Sequence, residues 1–256
     1  MSPSFAYVYE AAFSQGAAGK EAARIEAEVS RLGIQGPVLR EGFHEVQEGL
    51  ERAIQEGSKN VVFVGHHGWF LQWIPWISAQ KGITIGFLPL EPSPLSRALG
   101  MPTGAAAVGI LAARVLRVLD IGLINSRPFF TEAVVLQTSA RLEFEGSYAV
   151  RAKTPGPLAI QNFALHPKTG EALSVPGDGQ LEAVLHTPIE RVSWFGVWKK
   201  TELEETRIAF TRGKLSNDGQ PLQITVDGQL LTAKEFAFDV LPGAMSCVVG
   251  PERLFA

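Results

Sequence analysis

Near its middle this 256-residue chain changes hydrophobic period, and that change limits the fold more than any single motif does. Before about residue 125, runs apolar on both faces alternate with helical spacing. Val61-Val-Phe-Val64 and Ile83-Thr-Ile-Gly-Phe-Leu88 are such runs, and Phe5-Ala-Tyr-Val-Tyr9 is a shorter one. Ala18, Ala22, Ile25, Val29 and Leu32 fall at steps of three and four, as do Phe43, Val46, Leu50 and Ala53. Those steps are the period of one helix face. Gly33 is placed to cap the first helix, and Gly57-Ser58 ends the second. Ala105, Val108, Leu111, Ala112, Val115 and Leu116 predict a further helix. Strands without a polar face belong to a parallel sheet covered on both sides.

After residue 125 the runs are short and lie between turn signals. Ala133-Val-Val-Leu136, Leu158-Ala-Ile160, Glu182-Ala-Val-Leu185, Gln223-Ile-Thr-Val226 and Phe236-Ala-Phe238 read as strands. Asp178-Gly179, Asp218-Gly219 and Asp227-Gly228 are hairpin-type turns. The expected architecture is an α/β domain over residues 1–125 and an antiparallel β-sandwich over 126–256.

Composition excludes several classes of function. A net charge of −3, with no Lys/Arg cluster, gives no case for nucleic acid as a partner. A single cysteine, Cys247, rules out an intramolecular disulfide and fits a reducing compartment. The start, Met1-Ser2-Pro3-Ser4-Phe5, does not read as a signal peptide. The longest greasy stretch, Trp69 to Ile77, is too short to span a bilayer and contains Gln72 and Pro75. A cytoplasmic protein without a transmembrane segment is expected.

Several short segments, in order, carry a resemblance. Val61-Val-Phe-Val64 runs into Gly65-His66-His67-Gly68-Trp69. Phe87-Leu88-Pro89-Leu90 runs into Glu91-Pro92-Ser93-Pro94 and then Leu95-Ser96-Arg97-Ala98-Leu99-Gly100-Met101-Pro102. Later come Leu119-Asp120-Ile121-Gly122, Asn125-Ser126, Phe129-Phe130, Asp227-Gly228-Gln229 and Leu241-Pro242-Gly243. In this order and spacing the chain resembles the diacylglycerol kinase and bacterial lipid kinase family. There, the corresponding segments read Gly-Gly-Asp-Gly-Thr, Pro-Leu-Gly-Thr-Gly-Asn, hydrophobic-Asp-hydrophobic-Gly and Asp-Gly-Glu. The resemblance implies the NAD kinase/diacylglycerol kinase-like fold. It places Gly65, His66, His67, Gly68, Trp69, Glu91, Ser93 and Lys20 at the nucleotide site.

The departures fall on chemistry. His66 stands at the second glycine, His67 at the Asp and Trp69 at the Thr of the first loop. Neutral histidine does not replace a carboxylate on Mg²⁺, which prefers oxygen. Pro92 and Pro94 lack the N–H groups that would hold phosphate oxygens. Asp227 is the candidate remnant of the catalytic base, with Gln229 where the family has Glu; Asp120 is a weaker candidate. The favoured expectation is a catalytically impaired or inactive family member with no cofactor. An active ATP- and Mg²⁺-dependent lipid kinase using Asp120, Asp227 and Lys20 is the alternative. A carrier of lipid or another apolar small molecule in the cleft between domains is a third reading. A second copy of the chain is a candidate partner.

Each residue has a plainer explanation. His66-His67 could hold a transition metal, but no partner stands at a ligand spacing, so packing is favoured. Gly16-Ala-Ala-Gly19-Lys20 lacks glycine at Ser14 and Ser or Thr at Glu21, so a helix-entry turn is favoured over a phosphate loop. Trp69, Trp73 and Trp76 form one helical stripe that reads as core, or as indoles filling a nucleotide's space. Asp227 also opens a turn, and Cys247 reads as a small buried residue.

Overall fold

In the computed structural model, residues 4–11, 16–40, 43–151, 154–164, 174–192 and 199–255 are described. The segment Met1-Ser2-Pro3 and Ser14, weighed above for a signal peptide and for a phosphate loop, lie outside them. The chain divides into two compact units.

The first unit runs to Leu119 and takes back the C-terminal residues from Ala244. Its strands are β1 (Phe5–Tyr9), β2 (Val38–Leu39), β3 (Asn60–Gly65) and β4 (Thr84–Pro89), paired in parallel in the order β2-β1-β3-β4. All residues of β1, β3 and β4 are buried, as runs without a polar face require. Helices α1 (Gly16–Arg31) and α2 (Phe43–Gln55) connect them. Ala22, Ile25 and Val29 of α1 and Val46, Leu50 and Ala53 of α2 are buried, so the three-and-four spacing marks the faces that pack. Gly33, with φ of 67°, closes α1 as expected.

After β3 come α3 (His67–Leu71) and α4 (Ile74–Ala79). The spacing of Trp69, Trp73 and Trp76 suggests one helix. Pro75 breaks it, because it has no N–H to continue the ladder and sits in the first turn of α4. Trp73 and Trp76 are buried, and their rings pack around Phe63 with centroids at 5.3 and 6.4 Å. Beyond α5 (Pro94–Ala98), a 3₁₀ turn (Gly104–Ala107) leads into α6 (Val108–Ala113). The helix expected to reach Leu116 is shorter. Arg114 is left-handed at φ of 50°, and Leu116 already opens β5 (Leu116–Ile124).

The second unit comprises Asp120–Ala164 and Leu173–Gly243. It holds β6 (Arg127–Phe129), β7 (Glu132–Thr138), β8 (Arg141–Phe144), β9 (Tyr148–Arg151), β10 (Gly156–Gln161), β11 (Leu181–Val192), β12 (Lys199–Phe210), β13 (Gly213–Ser216), β14 (Leu222–Val226), β15 (Gln229–Ala233) and most of β16 (Glu235–Val248). One antiparallel sheet has the order β12-β11-β10-β7-β14-β15; β16, β13, β8 and β9 form another. Leu142, Phe144, Leu215, Phe236 and Phe238 from one sheet share a core with Ala133, Val135, Leu158, Ile160, Ala183 and Ile224 from the other. This is the expected β-sandwich, built on period-two burial such as that of β14.

Two details differ from the sequence reading. The expected cut was at residue 125, whereas the units divide between Leu119 and Asp120, and residues from Ala244 join the first unit. The reason is the end of β16: Ser246 and Cys247 pair in parallel with Thr84 and Ile85 of β4. Asp227-Gly228, with φ of 45° and 82°, is a two-residue turn between the paired strands β14 and β15; Asp178-Gly179 lies in the long connection from β10 to β11, and Asp218-Gly219 joins β13 to β14, which lie in different sheets. No helix among the described residues is long and apolar enough to cross a membrane.

Cys247 is fully buried, and desolvation pushes its thiol pKa up to about 12. The thiol is therefore neutral and inaccessible in the native state. Ellman's reagent at pH about 8 is expected to leave the native protein unlabelled and to titrate the thiol only as the chain unfolds in denaturant. Rapid native labelling would contradict this packing.

Candidate functional site

The parallel ladders bring three chain crossings together. Tyr9 lies beside Val64 and Gly65 beside Pro89, at the carboxyl ends of β1, β3 and β4. The backbone pairing continues one residue further, with Glu10 N–H donating to Val64 O at 3.0 Å and Leu90 N–H to Gly65 O at 3.2 Å. Glu10, His66 and Glu91 consequently leave the sheet as neighbours. In open α/β sheets this end is where ligands bind.

Glu10 turns back onto the loop. Its Oε2 accepts the backbone N–H of His66 at 2.8 Å and lies 3.0 Å from His66 Nδ1. His66 Nε2 faces Glu91 Oε2 at 3.6 Å. The imidazole thus sits between an inner carboxylate, 18% exposed, and an outer one, 54% exposed. Gly65 is held to glycine by this arrangement, since a Cβ there would stand 2.7 Å from Glu10 Oε2 and 2.8 Å from the Trp69 ring. The Trp69 indole packs edge-on against Phe63 at 6.0 Å and Trp73 at 6.1 Å. Trp69 therefore lies at the carboxyl end of the sheet, pressed onto the loop. Gly68 has open space where a side chain would go. His67 opens α3, and its buried Nδ1 has no hydrogen-bond partner.

The second loop is committed to helix capping. The Ser93 hydroxyl accepts Ser96 N–H at 3.0 Å and Ser96 returns the contact at 2.9 Å, while Pro94 occupies the first turn of α5. Lys20 is exposed on α1. Its neighbour Glu21 accepts Ala105 N–H at 3.0 Å, and that hydrogen bond lowers its pKa. Among the described residues, no group of three or more His, Cys, Asp or Glu is arranged to hold a metal ion.

The remaining candidates lie in the second unit and serve the backbone. Asp120 is buried; its two oxygens accept Gly243 N–H and Gly179 N–H, each at 2.7 Å. Asp227 accepts Phe130 N–H at 2.7 Å, Thr131 N–H at 2.9 Å, Glu132 N–H at 3.3 Å and the Thr131 hydroxyl. Burial pushes the Asp227 pKa up, against the four donors that pull it down. Gln229 Oε1 accepts from Arg127.

Sequence reasoning missed Glu10 and Glu21. Glu10 carried one legible signal: it is the first polar residue after an apolar strand, the position that reaches the ligand-binding end of a parallel sheet. Glu21 carried none, because its partner is far along the chain.

The order β2-β1-β3-β4 with a returning parallel strand, followed by an antiparallel sandwich, defines the fold shared by diacylglycerol kinases and NAD kinases. Solved structures of that fold match nearly end to end. A diacylglycerol kinase from Bacillus anthracis str. Sterne superposes with a TM-score of 0.75 at 11% identity, covering 98% of both chains. An NAD kinase from Archaeoglobus fulgidus, in complex with ATP, gives 0.58 at 13% identity, over 98% of this chain and 95% of that one. Yeast NADH kinase complexed with NADH gives 0.53 at 13% identity, over 98% and 84%. The sequence matches no protein-family model and no curated protein.

Asp120 and Asp227 can be separated from catalytic residues by stability. Asp120→Ala leaves the Gly179 and Gly243 N–H groups without their acceptor, and Asp227→Ala leaves several donors unpaired. Each is expected to lower unfolding free energy by about 2–4 kcal/mol in denaturant titrations. Unchanged stability in either variant would remove the structural role assigned to that residue.

Proposed function

We propose that this is a diacylglycerol kinase-like protein whose nucleotide site is closed, and that it acts by binding and not by phosphoryl transfer. The observation that carries this reading is the Glu10 carboxylate seated on the His66 amide with the Trp69 ring over Gly65. A phosphate cradle needs converging N–H groups and positive potential. Here the loop amide already holds an anion, and Glu91 adds a second negative charge beside it. At 4 Å, like charges at a protein surface oppose each other by about 4 kcal/mol at an effective dielectric of 20.

The rest of the machinery points the same way. Pro92 and Pro94 offer no N–H, and the Ser93 hydroxyl is bound within its helix cap. Phosphoryl transfer is positioning plus charge neutralisation, so it depends on these groups. A working kinase would need Asp120 or Asp227 free to act as a base, and both are engaged by backbone N–H donors. The residues do not fit a Mg²⁺-nucleotide, and no catalytic step is assigned through one. A lipid or other apolar small molecule is the ligand class that suits this reading.

Calorimetric titration with Mg-ATP is expected to give no saturable binding; micromolar binding by the wild-type protein would overturn the reading. Opening the site should have the opposite effect. Trp69→Thr combined with His66→Gly, His67→Asp and Glu10→Gln is expected to cost about 2–4 kcal/mol of stability and to raise affinity for Mg-nucleotide. If the combined variant stays folded and gains no affinity, Glu10 and Trp69 are not what closes the site.

A further inference from the structure

A cavity of about 530 Å³ lies within the first unit, lined by Arg97, Met101, Pro102, Ile110, Glu252 and Leu254 among others. That volume is in the range of small-molecule sites. Its walls are fixed by the C-terminal segment. Gly250 N–H donates to Leu99 O at 2.8 Å and Leu254 N–H to Ala98 O at 3.0 Å. Gly100, at φ of 67°, has Arg253 N only 2.5 Å from where a Cβ would stand, so the segment seats directly on the turn after α5. The concavity is therefore built by backbone contacts and does not depend on side-chain rearrangement.

The lining is chemically divided. Met101, Pro102, Ile110, Pro251 and Leu254 supply apolar surface, and Leu254 is 38% exposed. Against this stand one cation, Arg97, and one anion, Glu252, both exposed. They come from different segments and do not form an ion pair with each other among the described residues. A purely anionic ligand would meet Glu252, and a purely cationic one Arg97. An uncharged chain would leave both without a counter-charge. Complementarity to both charges and to the apolar wall selects an occupant that carries all three features.

We infer that this cavity binds a single-chain zwitterionic amphiphile, with its acidic group at Arg97, its ammonium at Glu252 and its alkyl chain along Ile110 and Leu254. The hydrophobic part supplies affinity in proportion to the apolar area covered, and the two charges set the choice of head group. The lining residues are other than Glu10, His66 and Glu91, so Mg-ATP is neither required nor a competitor.

The test uses the full chain and a lysophosphatidylcholine below its micelle-forming concentration, followed by calorimetry. Saturable binding at one molecule per chain is expected. Single-chain probes of equal length bearing a sulfate, a trimethylammonium or a sugar should bind more weakly. Arg97→Gln and Glu252→Gln should each weaken the zwitterion about fivefold, the scale of one charge–charge contact near solvent. Ile110→Trp should block the cavity; Leu254→Trp, at a more exposed position, does the same with less risk to folding, and circular dichroism checks both. Equal affinity for all four head groups, or unchanged binding in a folded Leu254→Trp variant, would overturn the assignment. Binding only to phosphatidylcholine vesicles and not to the monomeric probe would overturn it too, because the surface would then be a membrane contact.

Discussion

The short parallel ladder between β16 and β4 is the contact on which the first unit depends. Ser246 and Cys247 lie beside Thr84 and Ile85, and the backbone then runs on into bonds from Val249 to Val115, Gly250 to Leu99 and Leu254 to Ala98. Without that ladder, β4 would be an edge strand carrying Ile85, Phe87 and Leu88, an apolar surface that proteins avoid exposing. With it, β4 is covered by a neighbour, and the segment beyond β16 becomes a wall of the cavity at Arg97 and Ile110. One pairing therefore completes a sheet and forms a pocket.

A second theme is the use of carboxylates as internal anions. Glu10, Glu21, Asp120 and Asp227 each accept backbone N–H groups from segments far along the chain. Such bonds are stronger than neutral ones, and they tie a loop to a strand or helix that propensity alone would not bring near. In a nucleotide-binding loop the anion comes from the ligand. Here the Glu10 side chain supplies the anion that the His66 amide meets.

The fold was legible because its signals are local. The helical spacing of Ala22, Ile25 and Val29 and the alternation in β14 follow from burial of one face, and the sequence carries that directly. Gly33 and Asp227-Gly228 were legible because positive φ restricts which residues fit. The site was less so. The tryptophan spacing looked like one helix, and only the missing N–H of Pro75 explains why it is two. Val115 and Leu116 matched a helix face but lie past its left-handed end at Arg114. Lys20 drew attention, yet the adjacent Glu21 makes the contact. Glu10 and Asp120 act through partners separated from them by tens of residues, and no spacing rule reaches that far.

The return of β16 also has a consequence for biosynthesis. Chains leave the ribosome from the N-terminus, and many first domains finish folding while later ones are still being made. Here the strand beside β4 emerges only after the second unit has been made. The first unit must wait, with β4 unpaired on one side, until β16 follows. Long-range pairing of this kind slows folding and prolongs exposure of an apolar edge. A chain released before β16 would hold α1 to α6 and still lack the strand that covers β4, which makes truncated products natural clients for chaperones.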